Sequence, residues 1–268
     1  MDLQQIGVQH PNVKRILDIA RNTASNRAGL FVAEGLWAHE AVLEAGVPVE
    51  VFLWCPEIPH SDQVERLADQ LASKAARSYR IGPRTLARIA ERDAPDGLVC
   101  IAQLPRWDFD ALPLGGSALA LVADGVEIPG NLGTLIRTLD ACRADCLLLT
   151  NRRTRLTHPK VLRASQGTSL RVPVADFADP EDALDWLQRN DFTVYLADTD
   201  EAVPYRSTRF ARRSVLVVGS ERYGISKAWY GKGFARVSVP MLGVADSLNV
   251  SVCASILLYE ARAQLDAW

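Results

Sequence analysis

The chain has 268 residues, of which 48% are hydrophobic and 23% charged. That apolar share can bury a real core, which excludes a disordered chain, and no unbroken apolar run approaches the ~20 residues of a membrane span. Thirty basic residues against 32 acidic ones give a net charge of −2, which excludes a histone-like polycation but not an enzyme that handles nucleic acid through a local basic patch.

The opening MDLQQIGVQHPNVKRI lacks an apolar signal core, so a cytoplasmic protein is expected. Val13, Ile16, Leu17 and Ala20 recur at helical spacing and predict a helix over Asn12–Arg21. A short strand follows at Leu30–Ala33, then a helix over Leu36–Ala45 that stops at Gly46. Val49–Trp54 reads as a strand and Asp62–Ala76 as a helix. The turn Pro95-Asp96-Gly97 leads into a strand at Leu98–Gln103. These elements describe a small α/β domain over residues 1–106. The stretch Trp107–Gly116, with Pro113 and the pair Gly115-Gly116, has no helical period and marks a boundary.

Beyond it strands and helices alternate more strictly. Strands are predicted at Ala118–Ala123, Cys146–Leu149, Thr193–Ala197, Val215–Val218 and Arg236–Val239. Helices are predicted at Asn131–Arg143, from Pro159 to Ala164, at Glu181–Arg189 and at Ser247–Leu265. Continuous apolar strands separated by helices imply a parallel sheet covered on both faces, over residues 115–268. The five scattered cysteines fit a reducing compartment without disulfides. Cys142 and Cys146 have no second Cys/His pair nearby, so they are expected in the core and no metal is expected.

In such a sheet, ligands gather at the carboxyl ends of the strands. Three strand ends carry unusual polar residues. The first runs Asp124-Gly125-Val126-Glu127-Ile128-Pro129-Gly130-Asn131 into a helix, with Asn131 as a candidate cap and Arg137 about a turn and a half further on. It reads equally as a capped helix with a surface arginine. The second is Val218-Gly219-Ser220-Glu221-Arg222-Tyr223-Gly224, where a glycine directly after a strand admits close approach of a ligand. It also reads as a simple turn with an exposed glutamate. It matches neither the dinucleotide fingerprint nor the phosphate-binding loop of nucleotide triphosphatases. The third is Val239-Pro240-Met241 through Ser247-Leu248-Asn249, where Ser247 is a candidate cap of a final helix that is apolar around much of its circumference.

Together, N-L-G-T-L-I-R-T, G-S-E-R-Y-G-I-S and V-P-M-L-G-V-A-D-S-L-N-V-S-V resemble the three ordered motifs of the SPOUT superfamily, and within it the TrmH/SpoU-type RNA ribose 2′-O-methyltransferases. The motifs span about half the chain. Arg222-Tyr223 stands where the family often has a small residue, and Cys142-Arg143 replaces its usual aromatic-glycine pair. Lys14-Arg15, Phe31–Gly35 and Pro95–Val99 resemble the ribosomal protein L30e-like substrate-binding domain often fused in front.

The resemblance implies a SPOUT domain with a C-terminal trefoil knot and S-adenosylmethionine held by Val218, Gly219, Val239, Pro240, Met241 and Leu248. It implies a catalytic set of Arg137, Asn131, Glu221, Ser247 and Asn249, with Glu221 fixing Arg137. An arginine stays protonated, so anchoring a phosphate and stabilising an alkoxide suit Arg137 better than general base work. RNA is expected on Lys14, Arg15, Arg27 and Arg163, and a homodimer is implied. The layout is similar to bacterial enzymes that modify large-subunit ribosomal RNA, some of which confer self-resistance to ribosome-targeting antibiotics. Transfer RNA as substrate, and a non-catalytic RNA-binding protein of the same fold, are the alternatives.

Overall fold

The structure is a computed structural model and describes residues 3–91 and 93–267. The chain parts into two compact units, Met1–Arg106 with Leu156–Arg171, and Trp107–Arg155 with Val172–Trp268.

The first unit runs β1 (Gln5–Ile6), α1 (Pro11–Arg21), β2 (Leu30–Glu34), α2 (Leu36–Ala45), β3 (Val49–Trp54), α3 (Asp62–Lys74), β4 (Ser78–Ile81), α4 (Pro83–Ile89) and β5 (Leu98–Gln103). Its sheet has the order β1-β4-β3-β5-β2. The pairs β1–β4 and β4–β3 are parallel, whereas β5 lies antiparallel to β3 and β2. Two apolar clusters cover its two faces. One includes Phe31, Phe52, Leu71 and Trp54, and the other includes Val13, Ile16, Leu53 and Leu86.

The helix starts follow from local chemistry. His10 accepts the Asn12 N–H at 3.2 Å and Pro11 takes the first helical position, where a missing N–H costs nothing. Ser61 caps α3 by accepting from Val64 N. That helix ends at Lys74, two residues before the position that periodicity suggests, because Ala75 turns to an extended conformation. The strands β1 and β4 and the helix α4 leave too short a pattern to be read from sequence.

Next in the chain come β6 (Ala118–Asp124), α5 (Pro129–Ala141), β7 (Cys146–Thr150), α6 (Pro159–Ser165), β8 (Val174–Asp176), α7 (Pro180–Arg189), β9 (Thr193–Ala197), β10 (Val203–Pro204), β11 (Arg213–Val218), β12 (Ala235–Ser238) and α8 (Val250–Asp266). The helix α6 belongs to the first unit, where Leu162 and Leu170 join the cluster around Phe31. A Cβ on Gly167, which has φ +79°, would lie 2.5 Å from the Ala41 Cβ, so this glycine lets the segment approach α2.

The sheet of the second unit has the order β10-β12-β9-β11-β6-β7-β8 and is parallel throughout. All seven residues of β6 are buried. The parallel register places the ends of β6, β7, β9, β11 and β12 on one edge: Val218 pairs with Ala123, Asp124 with Thr150, and Ala197 with Val237. Continuous apolar strands made this sheet readable in advance.

Two polar devices fasten it. Buried Asp124 accepts from Thr150 Oγ1 at 2.9 Å, Asn151 Nδ2 at 2.7 Å and Ser226 N at 2.7 Å, so the loop after β11 is tied to the end of β6. An unpartnered carboxylate there would cost several kcal/mol, and these three donors offset it. At the far end of α8, Arg262 is nine-tenths buried and donates to the carbonyl oxygens of Cys142 and Arg143. A cation on the last carbonyls of α5 satisfies both their lone pairs and the helix dipole. Cys142 and Cys146 are buried free thiols.

One buried group makes the first unit sensitive to pH. His39 is fully buried, donates from Nδ1 to the Gly35 carbonyl at 2.7 Å, and has no partner for Nε2 among the described residues. Burial pushes its pKa down from 6.5 to about 4. The unfolded chain therefore takes up a proton that the folded unit refuses. Stability contributed by neutral His39 is present above pH 6.5 and is lost as pH falls from there to about 4, by about 3 kcal/mol in all. Urea unfolding at pH 7 and pH 4.5 should show this loss in wild type and a flatter pH dependence in His39→Leu. Equal slopes for the two proteins contradict the assignment.

Candidate functional site

At the carboxyl edge of the second unit lies a pocket of about 550 Å³. The ends of β9, β11 and β12 form its floor, and the start of α5 and the segment leading into α8 form its sides. Nine of the eleven positions expected from the three motifs line it: Asn131, Glu221, Ser247 and Asn249, with Val218, Gly219, Val239, Met241 and Leu248. Pro240 is exposed and sits in the chain between two lining residues without lining the pocket itself.

Arg137 does not line the pocket either. It is exposed on α5, and its side chain makes no hydrogen bond or ion pair among the described residues. Helix geometry sets it about 9 Å along the axis from Asn131 and roughly 120° around it.

Three side chains join the three motifs. Asn131 Nδ2 donates to Glu221 Oε1 at 2.6 Å. A carboxylate can only accept, so the Asn131 oxygen points the other way, where it accepts from Asn249 Nδ2 at 3.1 Å. The Asn249 oxygen in turn accepts from Ser251 N at 2.9 Å and Ser251 Oγ at 2.6 Å. Every amide in this chain has a fixed orientation.

The geometry corrects three sequence-based expectations. Asn131 is not the cap of α5 but lies inside its first turn, because Pro129 sets the helix start two residues earlier. Ser247 does not cap α8; Asn249 does, and Ser247 donates to Asp246 Oδ1 at 3.2 Å. Glu221 does not hold Arg137. Its carboxylate also accepts the backbone N–H groups of Glu127 at 3.1 Å and Ile128 at 3.4 Å, just ahead of α5. Burial alone would raise this carboxyl, but the donors from Asn131, Glu127 and Ile128 hold it below the ordinary glutamate value.

The loop around Gly219 is unusually close-packed. Ser220 and Gly224 exchange two backbone hydrogen bonds of 2.9 Å, which folds the loop back onto the strand end. A Cβ on Gly219 would lie 2.0 Å from the Gly224 carbonyl carbon and 2.1 Å from the Ile225 nitrogen. Only glycine fits.

Sequence reasoning missed the β9 side of the pocket. Asp198 and Thr199 line it, as does Tyr230, whose hydroxyl donates to Asp198 Oδ2 at 2.7 Å. Burial and then this bond push the Tyr230 pKa up to about 12. No motif announces these residues; the neighbour relation of β9 and β11 in the sheet brings them in. In the first unit, Lys14, Arg15 and Arg27 line a common groove of about 580 Å³. Arg15 is paired with Glu50, and Arg163 lies elsewhere, 3.4 Å from Glu91. Among the described residues no group of acidic, histidine and cysteine side chains has the arrangement of a metal site.

Residues 118–259, over half the chain, match the model of the SpoU rRNA methylase family. The chain belongs to that family. In this SpoU-family chain, residues 10–100 also match the MRM3-like substrate binding domain. It is 29% identical over 244 residues to a 23S rRNA (uridine(2479)-2′-O)-methyltransferase of Streptomyces viridochromogenes, covering 89% of this chain and 84% of the relative. It is 30% identical over 184 residues to a 23S rRNA (guanosine(2553)-2′-O)-methyltransferase of Bacillus subtilis, covering 69% and 72%. Among solved structures, the SpoU methyltransferase AviRb from Streptomyces viridochromogenes, in complex with the cofactor AdoMet, superposes with a TM-score of 0.83 at 26% identity, covering 96% of this chain and 98% of the other.

The close packing at Gly219 yields a clear expectation. Gly219→Ala must displace the 224–225 backbone and should destabilise the second unit by about 2–4 kcal/mol. Gly243→Ala, where nothing lies within 4 Å of the added Cβ, serves as the control and should be near neutral. Urea unfolding midpoints decide the matter, and equal midpoints for the two variants would show that the loop is not held as described.

Proposed function

We propose that this chain transfers a methyl group from S-adenosylmethionine to the 2′-oxygen of a ribose in large-subunit ribosomal RNA. The observation that carries the reading is the hydrogen-bonded chain Glu221–Asn131–Asn249, which joins all three motifs at the rim of the strand-end pocket. The preference for ribosomal RNA rests on the two 23S rRNA relatives, which act on that class of substrate.

The pocket fits the cofactor. Its volume suits a nucleoside with an amino-acid tail, and Val218, Val239, Met241 and Leu248 offer an apolar wall beside backbone groups that can read adenine. Gly219 keeps the strand end free of a side chain where the loop folds over. S-adenosylmethionine supplies an electrophilic methyl on a sulfonium centre.

The protein's own residues then have separable roles. Glu221 is already occupied by three donors and its pKa is lowered, so it is a weak base and serves to hold Asn131. Among the described residues, Asn131 and Asn249 each use one side-chain N–H, which leaves the other available to the ribose. Ser247 lies beside them on the pocket wall. Arg137 stays protonated, anchors the target phosphate and stabilises the developing alkoxide, and the 2′-hydroxyl proton leaves to solvent water. The 2′-hydroxyl requirement selects RNA over DNA.

The same reading assigns residues 1–106 to substrate binding and residues 115–268 to catalysis, with the second unit knotted as a trefoil and the chain working in the cytoplasm as a homodimer. Exposed Leu242, Val244, Val252 and Tyr259 favour the homodimer, because large apolar side chains left in solvent gain by burial against a partner.

The test uses labelled S-adenosylmethionine with ribosomal RNA or bulk transfer RNA, and compares wild type with Arg137→Ala. Label should enter ribosomal RNA as an alkali-stable ribose methyl. Arg137→Ala should reduce transfer by roughly 100-fold or more with cofactor affinity intact, since the residue lies outside the pocket. Label confined to transfer RNA would reassign the substrate. Cofactor binding without transfer to either pool would leave a non-catalytic RNA-binding protein.

A further inference from the structure

One exposed ring beside the pocket is not used by the fold. Tyr223 stands two residues after Glu221 in the loop that follows β11, and 72% of it is open to solvent. Among the described residues it is the most exposed aromatic side chain; Tyr259 and Trp107 follow at 42% and 37%. Its hydroxyl makes no hydrogen bond among the described residues. Tyr195 and Tyr230, by contrast, donate theirs to the Arg209 carbonyl and to Asp198. A large ring left in water is a feature that calls for a partner. The backbone beneath the ring is fixed. Tyr223 N donates to Ser220 Oγ at 2.9 Å, inside the turn that Ser220 and Gly224 close with two backbone bonds of 2.9 Å. Gly224 takes φ +70°, which lets the chain return toward the strand end. Glu221, in the same turn, holds Asn131, one of the groups offered to the ribose. The Arg222 guanidinium lies over the Tyr223 ring, its carbon 5.1 Å from the ring centroid and within cation–π range. It backs one face of the ring and leaves the other open. Ile128, whose N–H Glu221 also holds, lines the pocket and is half exposed, so the rim carries further apolar surface.

We infer that Tyr223 is a stacking platform for the base of the target nucleotide, which leaves its own stack to lie on the open face of the ring. The inference rests on the proposed ribose methylation and deepens it: the substrate narrows to a nucleotide in a loop or bulge of the RNA. Bases paired in an A-form helix are locked in their stack, whereas unpaired ones splay onto aromatic side chains. The 2′-oxygen has to reach the methyl group in the pocket. The base hangs on the adjacent carbon of the same sugar, so it must come to rest beside that mouth. Stacking asks for a ring face and no hydrogen bond, which matches the unbonded hydroxyl. A small residue at this place, as related sequences often carry, would offer no such platform.

The experiment uses the full chain with large-subunit ribosomal RNA and compares wild type with Tyr223→Ala, Tyr223→Leu, Tyr223→Phe and Tyr223→Trp. Methyl transfer at saturating S-adenosylmethionine gives kcat/KM for the RNA, and calorimetry gives cofactor affinity. Base-specific chemical probing of the bound RNA, with S-adenosylhomocysteine present, shows which bases change environment without needing turnover. Thermal midpoints and sedimentation equilibrium check folding and oligomeric state.

Loss of one base–aromatic stack should lower kcat/KM by roughly 10- to 100-fold in Tyr223→Ala and Tyr223→Leu. Cofactor affinity and the salt slope of RNA binding should hold, because no charge is removed. Probing should show one loop nucleotide whose reactivity differs between these two variants and wild type. Tyr223→Phe and Tyr223→Trp, which keep a ring, should rescue both readouts. If Tyr223→Leu rescues as well as Tyr223→Phe, apolar burial accounts for the residue and the inference is overturned. It is equally overturned if Tyr223→Ala and Tyr223→Leu change the oligomeric state, which makes the ring a subunit contact, or if all five proteins behave alike. If the loop nucleotide responds as expected but no protein, wild type included, transfers methyl, the platform stands and the proposed reaction fails.

Discussion

The site depends on one carboxylate. Glu221 gathers the Asn131 amide and two backbone N–H groups ahead of α5, and so fixes the start of that helix against the loop that follows β11. Because the carboxylate can only accept, it sets the direction of every bond beyond it. Asn131 must present its oxygen to Asn249, and Asn249 must present its own to Ser251. The polar residues at the mouth are thus preorganised without an ion pair, and Arg137 remains available for work outside the pocket.

The sheet supplies what this arrangement requires. Parallel strands end together, so loops far apart in sequence meet at one edge. Asp124 ties two of those loops to the end of strand β6, and Arg262 ties α8 to the end of α5. Both are buried charges satisfied by several hydrogen bonds, the condition under which a buried charge is tolerated. They hold the pocket walls from opposite ends of the second unit.

Much of the fold was legible because apolar runs such as Ala118–Ala123 and Val215–Val218 have no other use than a strand buried on both faces. The pocket was legible because its polar residues sit directly after those runs. The errors came where local chemistry offered near-equal choices. Ser247 and Asn249 are both good caps two residues apart, and only tertiary contact with Asn131 selects the second. Pairing Glu221 with Arg137 followed formal charge, but the helix turns Arg137 away and brings Asn131 to the carboxylate. Pro129 was a usable signal that the helix begins before Asn131. Asp198 and Tyr230 were out of reach, since strand order decides their place.

The bond between Asn131 and Asn249 spans 118 positions of the chain. A ribosome working at 5–20 residues per second needs roughly 6 to 24 s to deliver the second partner after the first. Throughout that interval the apolar strand β6 and the open end of α5 lack the helix α8, and β11, at Arg213–Val218, joins them only late in it. Long-range closure of this kind is slow even for a complete chain. The pocket, whose lining runs from Ile128 to Cys253, therefore takes shape only once the start of α8 has been made.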